Sequence, residues 1–183
     1  MADALGRVFA PGVTAPAERR ARMAEVMTRE LFGPLGMTSA SPQFDAAGTF
    51  LGSALFYATA RDYARFGLLY LRDGVWEGRR LLPAGWVDLA RTGTRAERGG
   101  RYGAGWWIEP APGADLAPEF RSFTSSAAAD VFYAQGFQGQ IIVVVPSRDL
   151  VVVRLGLFDD RVGWPALHQW THRLVALFPL SRS

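Results

Sequence analysis

Two apolar runs, Ile141 to Val145 and Leu150 to Leu155, flank Pro146-Ser147-Arg148-Asp149. Each run is rich in β-branched residues and too short for a free-standing helix, which points to strands. The four residues between them are turn chemistry: Pro fixes φ, and Asp can bond its own backbone. The spacing predicts an antiparallel hairpin. Because apolar residues occupy consecutive positions, both faces of that hairpin are expected to be covered. A third run, Val131 to Ala134, precedes it across Gly136-Phe137-Gln138-Gly139, so the unit expands to a three-stranded meander on which the rest of the chain must pack.

The helical segments follow from the same reasoning. Pro16 to Leu31 carries Pro in its first turn, Glu18 at its positive end, and Met23, Val26, Met27 and Leu31 at helical spacing. Phe32-Gly33-Pro34 is expected to stop it. Thr59 reads as the cap of the next helix, with Asp62 three residues on as in a capping box, and Asp73-Gly74 as its end. Trp76-Glu77-Gly78-Arg79 reads as a turn. A short helix is expected from Pro83 through Leu89, a strand from Tyr102 to Ile108, a polar loop from Pro110 to Ser126, and a final amphipathic helix from Trp164 to Phe178. The result is an α+β chain: an antiparallel meander flanked by helices. With 183 residues, it is expected to form one domain burying about 70% of its unfolded surface.

Composition narrows the function classes. About half the residues are hydrophobic and six are Trp, a globular balance. There is no Cys, which removes disulfides, thiol nucleophiles and cysteine metal sites. No apolar run approaches the roughly 18 residues of a membrane span, and Met1-Ala2-Asp3-Ala4 does not read as a signal peptide. All 20 basic residues are Arg, and the chain contains neither Lys nor Asn. The net charge of +3 is small and the Arg residues are scattered among 17 acids, so no nucleic-acid partner is expected.

Individual residues do not assemble a catalytic set. His168 and His172 lie four apart, but Gln169 stands where a metalloprotease needs Glu, and no third ligand is apparent. They read as two partly exposed helix histidines, and no metal is expected. Gly136 to Gly139 is followed by a strand rather than a helix and has no Lys, which argues against nucleotide binding. Ser53, beside Gly52, lacks the glycine spacing of a hydrolase elbow. Trp106, Trp107 and Tyr133 are core aromatics or one wall of a cleft. No cofactor is called for. From residues alone the function stays open.

The order and wording of several segments resemble the serine β-lactamase-like hydrolases: class C β-lactamases, penicillin-binding proteins, esterases and 6-aminohexanoate-dimer hydrolases. The matching stretches are Leu31-Phe32-Gly33-Pro34-Leu35-Gly36-Met37, the run Ala58 to Leu71 (A-T-A-R-D-Y-A-R-F-G-L-L-Y-L), Asp73-Gly74-Val75-Trp76, Leu82 to Val87, Tyr102 to Trp107, and the meander. The resemblance implies an incomplete β-lactamase/transpeptidase-like fold and acyl transfer through a serine ester. It also implies a Ser-x-x-Lys motif, a tyrosine motif and a third motif on an edge strand. Without Lys, the first motif cannot exist in these 183 residues. The chain is therefore expected to be the C-terminal portion of a hydrolase domain whose N-terminal half is missing. It should be inactive alone, and the alternative is a non-catalytic pseudo-hydrolase that binds a ligand or partner.

By the same resemblance, Ala134-Gln135-Gly136 stands where the third motif would be. Gly136 or Phe137 would supply one backbone N–H of an oxyanion hole. Tyr133, Gln138, Gly139, Gln140, Gly52 and Ser53 would form the pocket rim. Ala134 in place of a basic or polar residue disfavours an anionic β-lactam and favours a small-molecule ester or amide. Without N-terminal strands, the edge at Leu150 to Leu155 is expected to be open, apolar and prone to aggregation.

Overall fold

The computed structural model describes residues 2–52, 55–94, 101–108, 130–158 and 163–181. The expected polar loop from Pro110 to Ser126 lies outside them. The chain divides into two compact units, Met1–Phe66 and Gly67–Ser183.

The first unit begins with helix α1 (Ala2–Phe9), followed by α2 (Pro16–Met27). Helix α2 does not stop at Phe32-Gly33-Pro34 as its sequence suggests. It widens into a π-helical turn, Thr28–Phe32, and continues as the single turn α3 (Gly33–Leu35). The wide turn tolerates Pro34, whose missing N–H would otherwise break an α-helical ladder. The Gly33 N–H reaches back to the Thr28 carbonyl, and a Cβ on Gly33 would lie 2.8 Å from that oxygen. The true stop is Gly36, at φ 66°. The loop beyond is held by two isolated bridges, Ser41 with Tyr57 and Phe44 with Phe50. Helix α4 (Ala60–Leu71) follows, and the boundary between the units falls within it.

In the second unit, Gly74, at φ 77°, closes α4 by returning its N–H to the Leu69 carbonyl at 2.8 Å. Strands β1 (Val75–Trp76) and β2 (Arg79–Arg80) form a small hairpin. Glu77 and Gly78 both have positive φ, as a tight two-residue turn requires. Helix α5 (Trp86–Ala90) starts three residues later than Pro83, because Gly85 at φ 78° interrupts the turn. Tyr102 to Ile108 is not one strand. Tyr102 bridges to Trp107 across a glycine turn, leaving only β3 (Trp107–Ile108) in the sheet.

The meander is present as β4 (Phe132–Gly136), β5 (Gln140–Val145) and β6 (Leu150–Arg154). The four strands run antiparallel in the order β3-β4-β5-β6, with Tyr133 opposite Val143 and Val143 opposite Val152. Residues Ile141 to Val145 of β5 are all buried, so both faces of this strand are covered. One face carries Val131, Tyr133, Ile141, Val143, Val145 and Val152, packed with Leu167 and Val175 of helix α6 (Gly163–Ala176). On the other face, α4 approaches so closely at Gly67 that a Cβ there would lie 2.7 Å from Val151 and 3.1 Å from Ile142. Strand β6 ends the sheet order, and its residues other than Val152 are only half-buried. Trp170 in this helix and Phe178 just beyond it are exposed. The stripe runs through Leu167, His168, Thr171 and Val175.

Candidate active site

The expected third motif lies at the end of β4. Strand β5 pairs with β4 along its whole length, Phe132 with Val144 through Gly136 with Gln140. Strand β3 pairs only with Phe132 and Tyr133. Among the described residues, no strand covers the outer side of β4 at Ala134, Gln135 and Gly136.

Strand alternation splits the motif between two faces. Ala134 and Gly136 share a face with Phe132, whose ring stands edge-on to Trp106 at 5.0 Å. Tyr133 and Gln135 point to the α6 face. There, the Gln135 amide nitrogen lies 2.7 Å from His168 Nε2. The rings of Tyr133 and Trp164 flank this histidine at 6.3 and 5.7 Å between centroids. His168 is only 9% exposed. Burial disfavours its charged form and pushes its pKa down to about 4. The reading of two partly exposed helix histidines therefore fails for His168. The signal for its burial was the helical stripe it shares with Thr171 and Val175, one and two turns on. His172 is half-buried. Among the described residues, no group of three His, Asp or Glu is arranged to hold a metal ion.

The turn after β4 is rigid for identifiable reasons. Phe137–Gly139 makes one tight helical turn, with Gln138 left-handed at φ 54°. Gly139 has φ 87°, and a Cβ there would run into the Phe158 ring. The Gln140 side chain clips the turn to the chain that follows β6. Its Nε2 donates to Phe137 O at 3.2 Å and Gly156 O at 2.7 Å, and its Oε1 accepts the Gly156 N–H at 2.9 Å. Arg154 adds a second clip, donating to the carbonyls of Gly139, Gly156 and Leu157 at 2.8, 2.7 and 3.2 Å. These bonds hold Phe137 81% exposed at the strand end. Tyr133 is buried beneath the sheet rather than on a rim. Gly52 is an exposed turn residue of the first unit, and Ser53 lies outside the described residues.

The first unit has a polar centre that sequence reading resolved only in part. Asp62 is 2% exposed. Its Oδ2 accepts the Ser39 N–H at 2.8 Å and the Ser39 hydroxyl at 2.6 Å, and its Oδ1 accepts the Arg65 guanidinium. Thr59 caps α4 as expected, its hydroxyl accepting the Asp62 N–H at 3.3 Å. The reciprocal half of the capping box is not made by Asp62: the Thr59 N–H goes to the Ser39 hydroxyl at 2.9 Å. Burial alone would raise the Asp62 pKa, but the bonds from Ser39 and Arg65 outweigh it and hold the carboxyl below its ordinary range.

The beta-lactamase family profile matches residues 10–156, most of the chain. The chain belongs to the beta-lactamase family. Two solved structures share its fold. One, from Bacteroides dorei and given provisionally as a beta-lactamase, superposes with a TM-score of 0.51 at 16% identity, covering 87% of this chain and 55% of the other. The second, a beta-lactamase from Mycobacterium bovis, gives a TM-score of 0.54 at 19% identity, covering 88% of this chain and 61% of the other. The chain thus spans little more than half the length of these relatives. No curated protein matches the sequence. No lysine occurs in these 183 residues.

Proposed function

We infer that this chain is the C-terminal part of a serine hydrolase domain, and that the intact domain cleaves a small-molecule ester or amide through an acyl-enzyme. The observation that carries the reading is the pairing of a family match over residues 10–156 with the absence of any lysine. In such a reaction a serine Oγ attacks the substrate carbonyl, a basic neighbour takes its proton, and the leaving alcohol or amine departs protonated. Water then releases the acid. The serine and its base belong to sequence outside these residues. The N–H of Gly136 or Phe137 serves as one oxyanion donor, and Ala134 and Gly136 line the pocket from the sheet side.

Two features support a substrate without a fixed negative charge. Ala134 offers no cation or hydroxyl at the first motif position. The nearby cation, Arg154, is directed into three backbone carbonyls. The β-lactam carboxylate therefore lacks an evident partner on this strand, which makes an ester or amide the better substrate class.

The test is covalent labelling with a fluorophosphonate and a fluorescent penicillin, read by intact mass. The folded 183-residue chain is expected to take no adduct, because loss of nucleophile and base costs orders of magnitude in rate. The protein extended upstream through a Ser-x-x-Lys motif is expected to take the fluorophosphonate on that serine. An adduct on the 183-residue chain would overturn the reading, and peptide mapping would name the serine. Absence of any upstream Ser-x-x-Lys would favour a ligand-binding pseudo-hydrolase.

A further inference from the structure

His168 is a buried titratable group that the acyl-transfer reading leaves unused, yet it touches the strand end on which that reading depends. Its Nε2 lies 2.7 Å from the amide nitrogen of Gln135. An amide nitrogen only donates, so the imidazole accepts, and accepting requires the neutral ring with its proton on Nδ1. An imidazolium has no lone pair to offer. The Gln135 amide would have to turn over, and the charge would remain buried beneath the sheet.

The stretch tied by this bond has strand pairing on one side among the described residues. Strand β3 pairs no further than Tyr133, so among the described residues Gln135 and Gly136 are paired by β5 alone. We propose that His168 is a positioning residue: in its neutral form it holds, through Gln135, the end of β4 that carries Ala134, Gly136 and Phe137, and its protonation loosens that end before the rest of the sheet opens. That this matters for catalysis rests on the reading of Ala134 to Phe137 as the pocket edge.

Burial opposes a charge at His168. From β4 it faces the Tyr133 phenol ring and the neutral Gln135 amide, and from β5 the same sheet face carries Ile141 and Val143. On its own helix it faces Trp164, with His172 one turn on. Behind Trp164 stand the Phe158 ring and, over that ring, the Arg154 guanidinium, a cation. The two aromatic faces beside the imidazole would favour a cation slightly. Burial outweighs them, since the net displacement of the His168 pKa is downward.

Amide hydrogen exchange by NMR on the 183-residue chain tests the proposal, with protection factors corrected for intrinsic exchange at each pH. Linkage between an opened state titrating near the ordinary 6.5 and a closed state near 4 gives a loss of about thirtyfold at pH 5. Protection at Gln135 to Phe137 is therefore expected to fall at least tenfold from pH 7 to pH 5 and to stay below that at Val143 to Val145, whose exchange by global unfolding carries the same linkage. His168→Gln, which cannot titrate, should show no such difference. Gln135→Ala, at a half-buried site that tolerates truncation, should lose strand-end protection already at pH 7. Strand-end protection as high as that at Val143 to Val145 at pH 5, or a wild-type pH response in His168→Gln, would overturn the proposal. Labelling of the upstream-extended protein is independent of this result. A strand end that loosens in a protein taking no fluorophosphonate would leave the tether standing and remove the hydrolase reading.

Discussion

The two units are held together by different means. In the second, regularity does the work. Three strands pair in unbroken register, and Val143, Val144 and Val145 at their centre are fully buried. In the first, the described residues between Gly36 and Ala60 form no continuous strand or helix, and side chains take over much of the hydrogen bonding that a ladder would supply. Ser39 and Asp62 pin the loop to the start of α4, the Tyr63 hydroxyl donates to Phe56 O at 2.6 Å, and Asp45 accepts the Thr49 N–H at 2.7 Å. A backbone without a ladder must still satisfy its polar groups. Here it does so through single residues, each of which is a point of failure.

The sharpest way to break the contrast is to damage the regular unit where it is densest. Ile141 is 1% exposed, on the face that meets α6. Ile141→Ala is expected to cost about 2–5 kcal/mol through lost transfer energy and the cavity left behind. For a chain of this size that corresponds to a fall in Tm of roughly 5–15 °C, read by thermal denaturation. A change below about 1 kcal/mol would mean that the sheet collapses around the gap, and that its packing is not the source of its order.

The same contrast decides what was legible in advance. The hairpin could be read from the chain because its signals are local: two short β-branched runs and Pro146 to Asp149 between them. The whole meander, its turn at Gly136 to Gly139, and the stop of α4 at Asp73-Gly74 were legible for the same reason. Signals that depend on distant partners were not. Asp62 looked like half of a capping box because Thr59 is three residues away, whereas its principal partner, Ser39, is 23 residues distant. His168 looked like a surface histidine because periodicity ranks it as polar, although it lies on the inner stripe with Thr171 and Val175. The strand expected at Tyr102 to Ile108 failed because its two glycines fold it back on itself. At the candidate site, the position of Ala134 to Phe137 at a strand end followed from the pattern, but the Gln135–His168 tether needed the packing of α6.

The polar unit should fail through Asp62. Asp62→Ala removes the acceptor of three donors at once, and is expected to cost about 2–3 kcal/mol, discounted because Arg65 is one-third exposed and can turn to water. Asp62→Asn, which keeps the shape but not the charge, should cost less. Acid separates the units by the same logic. His168 has a lowered folded pKa, so protonation favours unfolding. Its contribution is full above about 6.5 and declines as pH falls toward 4. Asp62 is also lowered, but as a carboxyl its contribution is full above its ordinary unfolded value near 4 and is lost only below that. A pH series followed by NMR should therefore show resonances around α6 and β4 responding first, and those around Ser39 and Asp62 only below about pH 4. The reverse order would contradict both assignments.

The smallest effect is expected where a drawing of the molecule suggests a large one. Arg72, just past α4, makes a two-pronged pair with Asp149 in the β5–β6 turn, at 2.6 and 3.2 Å, across 77 residues of sequence. Drawn on paper, it staples a helix end to the hairpin. Both side chains are about half exposed, however, so water screens the attraction and fixing two long side chains costs entropy. Arg72→Ala is expected to lower stability by no more than about 0.5 kcal/mol, and the difference should shrink further in high salt. Arg72 is the right partner to remove, because Asp149 sits at φ 49° and a change there would mix the ion pair with the strain of a left-handed turn. A loss above about 1.5 kcal/mol would show that the hairpin depends on its charged turn as much as on its valines. The second unit would then be held by single residues too, and the contrast with the first would be one of degree.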